Sequence, residues 1–312
     1  MKRKIIELGN NCMVLSLPIK WVRNNELGKG DEIDVEEEPT GVLSIKSKKS
    51  KRSIINKVSI DADGMDRFDL SRTIRGLYHS RVDEITLNFT KNKIMWIREN
   101  KEVDLVKGSE ALCKALIGLV MTKKTKNQIV LQCFISKEDN EKIDNVERRV
   151  FLLIKEFMND ILANIDNFKE FHKTIWERHD NIAQFCDYYL RVIAYSDKHI
   201  EVKTSRYVLI SLMDKVADQL RYLCDEIRNQ KKVSNTVKKY LKECFDLFDL
   251  HYKFLYESID NKTLLMTRYA LLKKIKNERF SVGEYKIISE ALFLFHFNNE
   301  FYDAKRIEET IS

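Results

Sequence analysis

The sequence predicts an α+β chain in three parts: a β domain over residues 1–49, a small α/β sandwich over 54–140 and an all-α bundle over 145–312. Three observations carry that prediction. Apolar and polar residues alternate through the first part, strand and helix periods alternate through the second, and from Asn145 onward only helical spacing occurs. Both prolines lie before residue 40, so nothing downstream forbids long unbroken helices.

In the first part KIIEL, CMVLSLP, DEIDVEEE and GVLSIK read as strands. IKWVRNNELGKGD, between the second and third, reads as a short helix closed by a Gly-Lys-Gly turn. Four short strands and one helical turn bury little surface in a single copy, so a homodimer is expected. A basic polar linker follows around residues 50–53.

The second part opens with IINKVSID as a strand, DLSRTIRGLYHSRVD as a helix and EITLNF as a strand. VDLVKGSEALCKAL is a second helix. LIGLVMTKK and NQIVLQCFI form a hairpin around TKN, giving one sheet layer against two helices.

Helical stripes mark the third part. Val146, Val150, Leu153, Phe157, Ile161 and Ile165 share one face, and a second helix runs from Trp176 to Ile193. Leu209, Met213, Val216, Leu220, Leu223 and Ile227 mark a third, and Val237 to Ile259 a fourth. Two more are expected around 263–276 and 283–308, making two successive three-helix units.

Composition is that of a globular, helix-rich protein: 44% apolar, 33% charged, net charge +7. The positive balance is compatible with nucleic-acid binding without demanding it. Six scattered cysteines form no CxxC pair, and Cys186, Cys224 and Cys244 fall on helical stripes as small buried hydrophobes. With no signal-peptide pattern and no apolar run of membrane-spanning length, the expected location is the cytoplasm, with reduced thiols and no membrane partner. No P-loop spacing, G-x-S-x-G elbow or HExxH motif occurs, so no enzyme is expected.

SLPIKWV at 16–22 followed by LGKGDEIDV at 27–35 resembles the AbrB/SpoVT swapped-hairpin family. The resemblance implies dimerisation by hairpin exchange and DNA contact through basic residues, here Lys2, Arg3, Lys4, Lys20 and Arg23. Cations of this kind reach phosphates without specifying sequence. The acidic run DVEEE at 34–38 suits the alternative, a plain dimerisation module.

DKVADQ at 214–219 is similar to the ERIADH signature of the PhoU phosphate-uptake regulators. IWERHDNIAQFCDYYLRVI at 175–193 resembles the ERDDEVDRLYFLLLR segment of archaeal members, and IRGLYHSRVDEITLNF and LIGLVMTKKTKNQIVLQ resemble their middle domain. The module order is that of archaeal PhoU-like proteins with an AbrB-type head. In that family paired acids on adjacent helices hold metal clusters. The resemblance thus implies a Mn, Fe or Mg site at Asp214 and Asp218, helped by Glu177 and Asp180. Asn181 and Ala183 replace two of the family's acids, and Gln219 stands where the family commonly has His.

The residues alone leave a second reading of the aspartates, a solvated face paired with cations. Lys215 is placed on the wrong side for that role, with Arg221 in reach of Asp218. His172 and His179, seven apart, read as surface residues more readily than as ligands. Two functions are expected from these resemblances. One is a dimeric, DNA-binding regulator of phosphate uptake or signalling. The other is an adaptor without DNA affinity that docks on a phosphate-transporter ATPase or a sensor kinase.

Overall fold

A computed structural model describes residues 3–9, 12–37, 41–47, 56–135, 143–196, 198–257, 259–294 and 298–311. The chain is mixed α and β, and it divides into two compact units, Met1–Ile55 and Asn56–Ser312.

In the first unit β1 (Ile5–Glu7) pairs antiparallel with β2 (Met13–Leu15), placing Ile5 opposite Leu15. Helix α1 (Ile19–Asn24) follows Pro18, whose fixed φ suits the entry to a helix. The chain then turns at Gly28–Asp31, where the Gly28 N–H donates to Asp31 Oδ2 at 2.6 Å and Gly30 adopts φ +93°. Antiparallel β3 (Ile33–Glu37) and β4 (Leu43–Ser47) complete the unit. None of its described residues is buried, and both faces of β1 and β2 are exposed.

The second unit begins with a four-stranded sheet in the order β5-β6-β10-β9. β5 (Lys57–Asp61) runs parallel to β6 (Glu84–Asn88), and α2 (Arg67–His79) makes the crossover between them. The expected hairpin is present as β9 (Leu119–Lys124) and β10 (Gln128–Cys133), with β10 also antiparallel to β6. Asp66 caps α2 by accepting from Phe68 N at 2.7 Å. Its last turn closes at Ser80, so the tail of the expected helix is a turn instead, with Arg81 at φ 62°.

A second hairpin, β7 (Lys93–Trp96) with β8 (Lys101–Asp104), was not expected from the sequence. Its strands have no clean alternation because only Ile94 is buried. The helix expected from Val103 therefore starts two residues later, as α3 (Leu105–Ala115), capped by the Asp104 carboxylate on Lys107 N at 2.8 Å.

The bundle is built on α4 (Ile143–Ala163), α6 (Ile175–Val192), α7 (Ile200–Arg228) and α8 (Asn235–Tyr256), with the single turn of α5 (Phe168–Phe171) before α6. α7 touches α4, α6, α10 and α11 and is the central helix. All six residues of its expected stripe are buried. The helix starts nine residues before that stripe because Val202 and Arg206 extend the same face, and a buried arginine hides the pattern. Phe151 of α4 packs against Phe248, Tyr252, Tyr256 and Phe301, with ring centroids 5.8–6.0 Å apart. Cys186, Cys224 and Cys244 are buried, as their stripe positions predict.

α9 (Asn261–Asn277) follows as expected. The helix expected over 283–308 is two helices, α10 (Val282–Phe293) and α11 (Asn298–Ile311). Both pack on α7, the first through Ile287, Ile288 and Ala291, the second burying Phe301 and Ala304. Two successive three-helix units therefore understate the helical count. Among the described residues, no helix is long and apolar enough to cross a membrane.

Candidate ligand cavity and the carboxylate pair

Two polar links fasten the sheet layer of the second unit to its bundle. Arg191 of α6 is fully buried and donates to the carbonyls of Tyr78 and Val82, at 2.7 and 3.0 Å, and to Asp83 Oδ1 at 2.9 Å. Asp187, one turn earlier, accepts from Arg75 and from His79 Nε2, the latter at 2.9 Å. A carboxylate usually holds an imidazole charged, but Arg75 shares this one. Burial, with the Arg75 and Arg191 charges, pushes the His79 pKa down to about 4. His79 is thus neutral, carrying its proton on Nε2 toward Asp187.

Beside these links a cavity of about 960 Å³ opens between α2, the β7–β8 hairpin, α3 and the first half of α6. Its volume falls in the range of ligand sites, which favour seams between layers. Leu70, Ile94, Val103, Leu105 and Leu112 give it an apolar wall, and residues 177–181 of α6 form the polar wall. Four permanent cations line it, but two are held in ion pairs: Arg75 by Asp187 and Arg178 by Asp160 at 2.8 Å. The other two, Arg67 and Lys114, are exposed and pair with no carboxylate among the described residues. The Arg67 guanidinium lies 4.2 Å from the Trp96 ring centroid, which orients it without neutralising it. Glu177, exposed in the same lining and paired with no cation among the described residues, offsets one of these charges. An apolar wall with a net positive charge suits an anionic ligand that has an apolar body.

The aspartates lie next to this cavity, on α7. Lys215 Nζ bridges them, 3.2 Å from Asp214 Oδ2 and 3.3 Å from Asp218 Oδ2. The expectation that Lys215 points the wrong way is corrected: its four-carbon stem lets the ammonium fold back between residues one before and three after it. From α6, His179 donates Nε2–H to Asp218 Oδ1 at 3.1 Å and Nδ1–H to Asp180 Oδ1 at 3.0 Å. Burial opposes the charge on His179, yet the two carboxylates hold its pKa up at about 9. The His179 hydrogen bond in turn draws the Asp218 pKa below the usual carboxylate range. Arg221 adds a more distant charge, 3.9 Å from Asp218, while resting over Trp176.

The four acids expected at a metal are not gathered around one point. Asp214 and Asp218 face the Lys215 ammonium, Asp218 and Asp180 are held on opposite nitrogens of the His179 ring, and Glu177 lines the cavity. Among the described residues, no group of three or more His, Cys, Asp or Glu is arranged to hold a metal ion. A divalent cation here would sit among existing positive charges, so this donor set does not fit one. His172 is tied to Asp225 at 2.8 Å.

In the first unit, Arg3 and Lys4 precede β1 and are exposed, and Lys20 and Arg23 are exposed on α1, one turn apart. Lys2 lies outside the described residues. Sequence reading missed Arg67 and Lys114 because they lie far apart in the chain, and only the packing of α2, α3 and α6 brings them to one cavity.

Compared with known proteins, the chain matches no family model, no curated protein and no solved structure.

Proposed function

We propose that the chain is a dimeric regulator of phosphate uptake or signalling. The N-terminal unit pairs two copies as a swapped hairpin of the AbrB/SpoVT kind and contacts DNA through Lys2, Arg3, Lys4, Lys20 and Arg23. The helical unit, of the PhoU kind, is the sensory and partner-binding part, with the cavity as its ligand site.

One observation carries this reading. Among the described residues of the first unit, ten large apolar side chains stand exposed, including Ile5 at 70%, Met13 at 69% and Leu43 at 62%. Burying each would contribute about 1.5–3 kcal/mol, and a second copy supplies an equal apolar surface. The exposed cations beside β1 and on α1 support the DNA contact.

The test is a titration of the full chain with duplex DNA at several salt concentrations. Affinity should fall steeply with salt, and Lys2→Ala, Arg3→Ala and Lys4→Ala together should weaken binding on every sequence and flatten the salt slope. A dimer without DNA affinity at low salt would leave the adaptor that docks on a transporter ATPase or sensor kinase.

A further inference from the structure

Helix α9 carries five cations, Lys262, Arg268, Lys273, Lys274 and Lys276, and no acidic residue along its 17 positions. Its inner stripe, Leu264, Leu271 and Ile275, is buried, and the helix packs on α8. Lys274 pairs with Glu243 of α8 at 3.1 Å, and Arg268 is half-buried. The remaining residues form an outer face that is both apolar and basic. Leu265, Met266 and Tyr269 are 45%, 59% and 63% exposed. Lys262, Lys273 and Lys276 are exposed beside them and pair with no carboxylate among the described residues.

The arrangement of that face narrows what can cover it. Lys262 and Lys273 are eleven residues apart, about three turns, so they stand one above the other opposite the buried stripe. Leu265 and Tyr269, four apart, flank them on one side and Met266 on the other. We propose that the outer face of α9 docks an acidic amphipathic helix of a protein partner. Its carboxylates would meet Lys262, Lys273 and Lys276, and its apolar stripe would cover Leu265, Met266 and Tyr269.

Other occupants fit less well. A second copy would set lysine against lysine. A lipid surface receives helices whose cations lie at the edges of the apolar face, where they snorkel to the headgroups, whereas these ammonium groups stand at its centre. Nucleic acid would satisfy the lysines but leave Leu265 and Met266 uncovered. The inference does not depend on the role of the N-terminal unit.

The test uses the full chain and a fluorescent designed peptide of glutamates with leucines at three- and four-residue spacing. A scrambled peptide of identical composition, phosphatidylglycerol vesicles and duplex DNA serve as competing probes. The patterned peptide should bind at least tenfold more tightly than the scrambled one. K262E/K273E and, separately, L265S/M266S should each lose tenfold or more while melting as the parent does. A lysine-for-glutamate version of the peptide should bind K262E/K273E/K276E and not the parent chain. Equal binding of both acidic peptides, no binding of either, or failure of the charge exchange would overturn the proposal. So would vesicle or DNA binding that is abolished by the same α9 variants while the patterned peptide does not bind.

Discussion

His179 of α6 and Asp218 of α7 lie 3.1 Å apart, Nε2 to Oδ1, and join the two helices through an imidazolium and a carboxylate. Asp180 accepts from the other ring nitrogen, so both N–H groups of the charged ring have acceptors. This ring and Lys215 offset the repulsion between Asp214 and Asp218.

That pairing makes stability depend on pH. The folded-state pKa of His179, about 9, lies above its ordinary value of 6.5. Its contribution is therefore complete below about pH 6.5 and is lost as pH rises through 9. A tenfold change in protonation is worth about 1.4 kcal/mol, and Asp218 is partly open to solvent, so the contribution is on the order of 1–2 kcal/mol. The gap in unfolding free energy between the parent and His179→Ala should be widest near pH 6 and shrink toward pH 9. A gap that is flat across that window would show that folding leaves the His179 pKa unshifted.

Arg191 sets the attachment of the sheet layer to the bundle. Its guanidinium is fully buried, and replacing it with Ala leaves a buried void and removes the donors to two carbonyls and to Asp83 Oδ1. The expected loss is about 3–5 kcal/mol in urea unfolding. Arg191→Lys should recover only part of it, because one ammonium cannot reproduce the planar fork. Full recovery by Lys would mean that charge alone matters.

Much of this architecture is legible in the sequence. Stripes such as Leu209 to Ile227 predict buried helix faces because all six positions of the stripe are apolar. Legibility fails where polar groups enter the core. Glu147 of α4 is 3% exposed, accepting from Tyr189 at 2.6 Å, from Arg206 at 2.7 Å and from Tyr256. In sequence Glu147 and Arg206 look like surface positions, and their pairing requires contacts 59 residues apart. The aspartate pair fails for another reason: its spacing on α7 is visible, but the cation that answers it depends on the Lys215 rotamer and on His179 from a different helix.

The cavity predicts a measurable ligand response. A phosphate-bearing compound with an apolar body, such as a nucleoside monophosphate, should raise the melting temperature. At a concentration of a hundred times Kd, the gain is about 2.7 kcal/mol. Arg67→Ala and Lys114→Ala should each lower that gain with little effect on the unliganded protein, because both side chains are exposed and outside any ion pair among the described residues. Inorganic phosphate tested alongside separates recognition of the anion from recognition of the body. Equal shifts in the parent and both variants would remove Arg67 and Lys114 from the site.

The N-terminal unit predicts an oligomeric state. Ile5, Ile6, Met13, Val14 and Leu15 project from β1 and β2, and neither strand has a buried face. Two such strands with three residues each make a hairpin too small to stand alone in water. Pairing two copies would bury these side chains together, so polar substitutions should separate the copies. Val14→Glu with Leu15→Glu places four carboxylates in the shared surface of a dimer, where removing an ionised group from water costs several kcal/mol. Sedimentation of the full chain should show a dimer at micromolar concentration for the parent and a monomer for the double variant. The helical unit of that variant should keep its cooperative melt, because its core begins only at Ala62. A parent chain that sediments as a monomer would refute the dimer. A double variant that remains dimeric would move the contact to the helical unit.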